Sequence, residues 1–97
     1  GDTSVGMTTI DKELSDLGRL DLIKLDVEGF ECEVIDGGRE TIGRLKPRII
    51  IEVHSHMTGR EANGTILATQ LRELGYRFKK IWSNTDAYYY IEAVSAQ

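Results

Sequence analysis

The sequence predicts an α/β fold, in which two parallel strands joined by a crossover helix are followed by a C-terminal antiparallel strand pair. Three observations predict it. Two nearly continuous apolar runs, Asp21 to Val27 (DLIKLDV) and Arg48 to His54 (RIIIEVH), are separated by a segment of helical periodicity. Runs of this kind suit strands covered on both faces, as in a parallel sheet. Lastly, Tyr76 to Trp82 and Ala87 to Val94 both read as strands, and the short polar stretch Ser83 to Asp86 between them sets an antiparallel turn.

Each element has a local cause. Thr8 or Thr9 can cap a short first helix with Ile10, Leu14 and Leu17 on one face and Gly18 as its stop. A helix is predicted from about Glu31 to Leu45. Phe30, Val34, Gly38, Ile42 and Leu45 recur at helical spacing and form its buried stripe. Gly37 and Gly38 weaken that helix by about 1 kcal/mol each relative to alanine. They either permit close approach to the sheet or mark a break. Pro47 ends the helix, and the triple isoleucine of the next strand places it centrally. Ser55 to Gly64 reads as a loop. A helix over Thr65 to Leu74 follows, with Leu67, Leu71 and Leu74 facing inward and Gly75 at its end.

Composition narrows the function classes. The 97 residues, 40% hydrophobic, make one small globular α/β domain over 1–97 or a piece of a larger one. A net charge of -4 argues against a nucleic-acid partner, which calls for a basic patch. No apolar run approaches the roughly 20 residues of a membrane span, so no membrane association is expected. Gly1 to Met7 carry no signal-peptide pattern. The single cysteine, Cys32, cannot form an intrachain disulfide and fits a reducing, cytoplasmic setting; its ordinary role is that of a small buried helix residue.

In open α/β sheets ligands bind beyond the carboxyl ends of the parallel strands. That rule selects Asp26-Val27-Glu28-Gly29 after the first strand and Glu52-Val53-His54-Ser55-His56 after the second. Asp26 and Glu28 either cap the following helix or present carboxylates to a bound amine, metal or substrate hydroxyl. His54 and His56 form an H-x-H pair. It reads as an ordinary loop feature, a general base near neutrality or two metal ligands that need a third from Asp26, Glu28 or Glu52. Lys24, isolated in an apolar strand, either reaches a strand edge or pairs with Glu52 on the neighbouring strand. Tyr88-Tyr89-Tyr90 should alternate across the last strand rather than form a binding box. Arg72, Arg77, Lys79 and Lys80 read as a solvated face.

The stretch TTIDKELSDLGRLDLIKLDVEGFECEVIDGG, then KPRIIIEVH and LRELGY, resembles the C-terminal part of FkbM-type methyltransferases. The likeness covers about residues 8 to 94. The family's I-K-x-D-V-E-G-x-E-x-x-V-x-x-G block is matched by Ile23, Lys24, Asp26, Val27, Glu28, Gly29, Glu31, Val34 and Gly37. Its K-P-x-I-I-x-E strand is matched by Lys46, Pro47, Ile49, Ile50 and Glu52.

The resemblance implies part of a class I methyltransferase (Rossmann-like) sheet, ordered 3-2-1-4-5-7-6, with this chain holding strands four to seven. It implies S-adenosylmethionine as methyl donor and an oxygen of a small molecule or sugar as acceptor. It assigns Asp26, Glu28 and His54 to substrate positioning and deprotonation, and Asp26 and Val27 to the cofactor. A divalent metal held by Asp26, Glu52 and His54 ranks below a metal-free mechanism.

The family's glycine-rich cofactor loop has no counterpart here, since no G-x-G occurs in the chain. The polypeptide alone is therefore expected to bind the cofactor weakly and to be inactive by itself. The first strand, 21–27, is expected to leave an apolar edge open to pairing with a second copy. The competing reading is a non-catalytic α/β interaction module or an enzyme remnant.

Overall fold

A computed structural model describes residues 8–96. Helix α1 (Ile10–Glu13) precedes strand β1 (Leu22–Leu25). Helices α2 (Glu31–Asp36) and α3 (Arg39–Leu45) lead into β2 (Arg48–His54). Helix α4 (Asn63–Glu73) is followed by β3 (Tyr76–Thr85) and β4 (Tyr88–Ser95). The strands form one mixed sheet in the order β1-β2-β4-β3. β1 and β2 are parallel, and β4 is antiparallel to both β2 and β3. The two parallel strands and the C-terminal antiparallel pair are therefore as the sequence predicts. Among the described residues no helix is long and apolar enough to cross a membrane.

Alternation along the strands sorts the sheet into two faces. One carries Leu25, Ile49, Ile51, Val53, Ile91 and Ala93. It packs with Ile35, Ile42, Leu67 and Leu71 from the helices into a single core. The free thiol of Cys32 lies in that core, where burial and then the nearby Glu31 and Glu33 push it up to about 11. The opposite face carries Lys24, Ile50, Glu52, His54, Tyr88, Tyr90 and Glu92, aligned by the register of β1, β2 and β4.

The crossover is two helices rather than one, and the paired glycines are the break. Gly37 closes α2, and Gly38 precedes α3 without a side chain to cap it. A tertiary cap substitutes: Asp11 of α1 accepts from the amides of Thr41 at 2.8 Å and Glu40 at 3.1 Å. Close approach is made to α1 rather than to the sheet. A Cβ on Gly37 would lie 3.1 Å from Thr9, and one on Gly38 would lie 3.0 Å from Ile10. Phe30, placed in the predicted stripe, is exposed, whereas Glu31, Cys32 and Ile35 turn inward.

Other boundaries shift modestly. Thr9 is the N-cap of α1, accepting from Lys12 N–H, but the helix ends before Gly18. The helix predicted at Thr65 begins at Asn63. Ser83 to Thr85, read as turn, continue β3, because two irregularities in the β3–β4 pairing let the polar tip remain paired.

Candidate active site

The site grows out of strand register. Lys24 pairs with Ile50, so Asp26, just past the end of β1, stands level with Glu52. Across β2, Glu52 faces Tyr90 and His54 faces Tyr88. Asp26, Glu52, His54 and Tyr88 consequently meet at one mouth of the sheet. With Glu28, His56 and Met57 they line an open cavity of about 590 Å³.

The chain leaves β1 through a strained turn. Glu28 has φ 45° and Gly29 φ 97°, so two consecutive residues occupy left-handed space that only glycine adopts readily. Such strain persists where the surroundings over-determine it. Here the clasp is Glu31, the first residue of α2, which is fully buried. Its Oε1 accepts from Gly29 N–H at 3.0 Å, and its Oε2 accepts from His54 N–H at 2.7 Å. Asn63 at the start of α4 completes the clasp. Its Nδ2 lies 3.0 Å from Glu31 Oε2, 3.0 Å from the Gly29 carbonyl and 3.1 Å from the His54 carbonyl. A buried carboxylate is tolerable only with such a full set of donors.

Glu52 is oriented equally firmly. The hydroxyls of Tyr88 and Tyr90 both donate to Oε2 at 2.7 Å, and His54 Nε2 lies 2.9 Å from Oε1. Burial pushes the Glu52 carboxyl up. The bonds from Asp26, Tyr90 and Tyr88 outweigh it and bring it down to about 2. Asp26 moves the opposite way, held above the usual carboxylate range first by its hydrogen bond with Glu52. Tyr90 is raised to about 12 by donating to Glu52.

The candidates Asp26, Glu28, Glu52 and His54 are therefore gathered in one cleft. Val27 is not with them: it lines a separate cavity of about 610 Å³ beside Phe30 and Val34. Lys24 does not pair with Glu52, whose partners are Asp26, His54 and the two tyrosines. The aromatic run alternates, as read, yet Tyr88 and Tyr90 both serve the site. Trp82 of β3 stands edge-on to each, with ring centroids 5.6 Å away, and is half exposed.

A family model for the methyltransferase FkbM domain matches residues 1–78. The chain belongs to the FkbM methyltransferase domain family. The match contains α1 to α4, both parallel strands and every site residue except those of the C-terminal hairpin beyond Phe78. No curated protein and no solved structure matches the chain.

Tyr88, Tyr90 and Asn63 are site residues that sequence reasoning did not select. Glu31 entered only as a motif letter. The i, i+2 spacing of the tyrosines in the last strand was the available signal for the first two. It acquires meaning only once β4 is known to pair with β2.

Proposed function

We propose that this chain forms the substrate-side half of an S-adenosylmethionine-dependent O-methyltransferase, holding strands four to seven of a class I, Rossmann-like sheet. The order β1-β2-β4-β3 with β4 reversed is what strands 4-5-7-6 require. The observation that carries the reading is the meeting of Asp26, Glu52 and His54 at the carboxyl ends of adjacent parallel strands in an FkbM-family domain.

The residues present fit part of the cofactor. The carboxylates of the cleft complement a sulfonium and an ammonium, and Asp26 and the Glu28-Gly29 turn would face them. When bound, S-adenosylmethionine supplies an electrophilic methyl carbon on a positively charged sulfur. The acceptor, a hydroxyl of a small molecule or sugar, gains nucleophilicity as its proton leaves. Asp26, the exposed member of the trio, takes that proton at a carboxylate oxygen. Glu52 and His54, both buried, fix its position. Glu28 reaches the same cleft from the strained turn and orients the acceptor. The buried, unpaired Cys32 agrees with a reducing, cytoplasmic location.

Replacement of Asp26 by Asn tests the reading. In the FkbM protein that contains this domain, transfer of labelled methyl should fall by about 100-fold or more. Unchanged turnover would remove Asp26 from the mechanism. The isolated 97-residue polypeptide should bind S-adenosylmethionine weakly by titration calorimetry; micromolar affinity would show that this half suffices.

A further inference from the structure

We infer that Trp82 is a distal binding residue for the methyl acceptor, and that this acceptor is a neutral glycoside of at least two linked rings. One ring lies at Asp26, and a further ring stacks on the Trp82 indole. The place of the reacting hydroxyl rests on the reading above; the stacking site on Trp82 does not.

A local departure from regular pairing puts this side chain on the face of the site. Lys80 pairs with Ile91 and Trp82 with Tyr90, so Ile81 is an extra residue in β3. In unbroken alternation Ile81 would stand opposite Tyr90. Trp82 would fall opposite Tyr89, whose side chain packs on the helix-covered core. Bulges of this kind re-aim side chains beside active sites. The indole is then fixed from one side. It stands at 82° to the ring of Tyr88 and 78° to that of Tyr90, and both tyrosine hydroxyls are tied to Glu52. The rest of it is open, since Trp82 is 49% exposed. A rigid aromatic surface binds a ring at little cost in conformational entropy. Tyr88 and His56, with ring centroids 5.3 Å apart, line the cleft itself, so a row of rings runs from the cleft to Trp82. Trp82 lies outside the family match, which ends at residue 78.

Charge and span name the occupant. Among the described residues the cleft is lined by three carboxylates, Asp26, Glu28 and Glu52, and by no lysine or arginine. Carboxylates accept hydrogen bonds and repel a phosphate or a uronate. The cleft therefore selects a neutral ligand rich in hydroxyl donors. The indole adds a second requirement. Its negative face attracts the weakly positive C–H bonds on the apolar side of a sugar ring. Span supplies the third. Asp26 follows β1 and Trp82 belongs to β3, the two outer strands of the sheet, so about 14 Å separates them. One six-membered ring does not bridge that distance, whereas linked rings do.

Trp82 is the single tryptophan of the chain, so its fluorescence reports on the subsite directly. The full chain is titrated with maltose, cellobiose and lactose, and with the methyl glycosides of their single rings. Expected is a saturable blue shift with at least one disaccharide, and binding about 10-fold weaker for the matching methyl glycoside. A disaccharide bearing a uronate should bind more weakly than its neutral counterpart. Emission unmoved by every neutral disaccharide overturns the subsite. Equal affinity for the uronate, or a response to 2-naphthol and to none of the sugars, overturns the substrate class. In the FkbM protein that contains this domain, Trp82→Ala should raise KM for the preferred disaccharide about 10-fold and leave kcat within about twofold. KM for the methyl glycoside should not change, and Trp82→Phe should recover most of the lost affinity. A KM raised alike for both acceptors, or a fall in kcat alone, would assign Trp82 a merely structural role. Circular dichroism registers folding of each variant; should Trp82→Ala fail to fold, the wild-type fluorescence titration decides. Disaccharide binding in a protein that transfers no methyl sinks the enzyme reading alone. Methyl transfer in a protein whose Trp82 emission ignores every disaccharide sinks the subsite alone.

Discussion

Asp11 illustrates how one side chain in a four-residue helix can hold a neighbouring element. α3 begins at a glycine and brings no cap of its own, so its first amides depend on Asp11. Partial burial pushes the Asp11 carboxyl up, but those amides outweigh burial and hold it below its usual range. A carboxyl depressed in the folded state contributes fully above the unfolded value of about 3.9 and loses that contribution as pH falls through its folded value. Asp11→Ala should therefore cost about 1 kcal/mol in urea unfolding at neutral pH. The difference from wild type should shrink below about pH 4. A deficit that persists unchanged in acid would show that Asp11 acts through packing rather than charge.

At the scale of elements, the Gly37-Gly38 step decides a sign. In a continuous helix, Gly38→Ala would stabilise by about 1 kcal/mol. Here Gly38 sits between two helices, and an added Cβ would stand 3.0 Å from Ile10 and 3.2 Å from Ile42. Overpacking of this kind costs about 1 kcal/mol or more. The substitution should lower the melting temperature, and a rise would mean that α2 and α3 behave as one rod. The same step explains what the sequence conveyed and what it withheld. The strands were legible because a triple isoleucine between a proline and a histidine has few other uses. The strand-end rule located Asp26, Glu28, Glu52 and His54 without knowledge of register. The inward turn of Glu31 was not legible, because a glutamate in the first turn of a helix ordinarily faces water. Its burial follows from donors on segments up to 32 residues away. Likewise the joint grip of Tyr88 and Tyr90 on Glu52 depends on a pairing between distant strands.

For the whole molecule, sheet order leaves β1 paired on one side only among the described residues. Leu22 at its start is 46% exposed. A short apolar edge of this kind templates another strand. The isolated chain should self-associate, with a light-scattering mass that climbs from monomer toward dimer as concentration increases. A mass that stays monomeric at high concentration would refute pairing through this edge.

The clasp around Glu31 bears on when the cleft acquires its shape. Amides at the ends of strands ordinarily trade deuterium quickly through local fraying. The His54 and Gly29 amides instead end on a carboxylate sealed inside the core, so opening either one strands a charge without donors. Both should exchange as slowly as the amides of Ile49 and Ile51, on the timescale of global unfolding. The cleft would then be finished by folding itself, and an incoming ligand would meet a rigid mould.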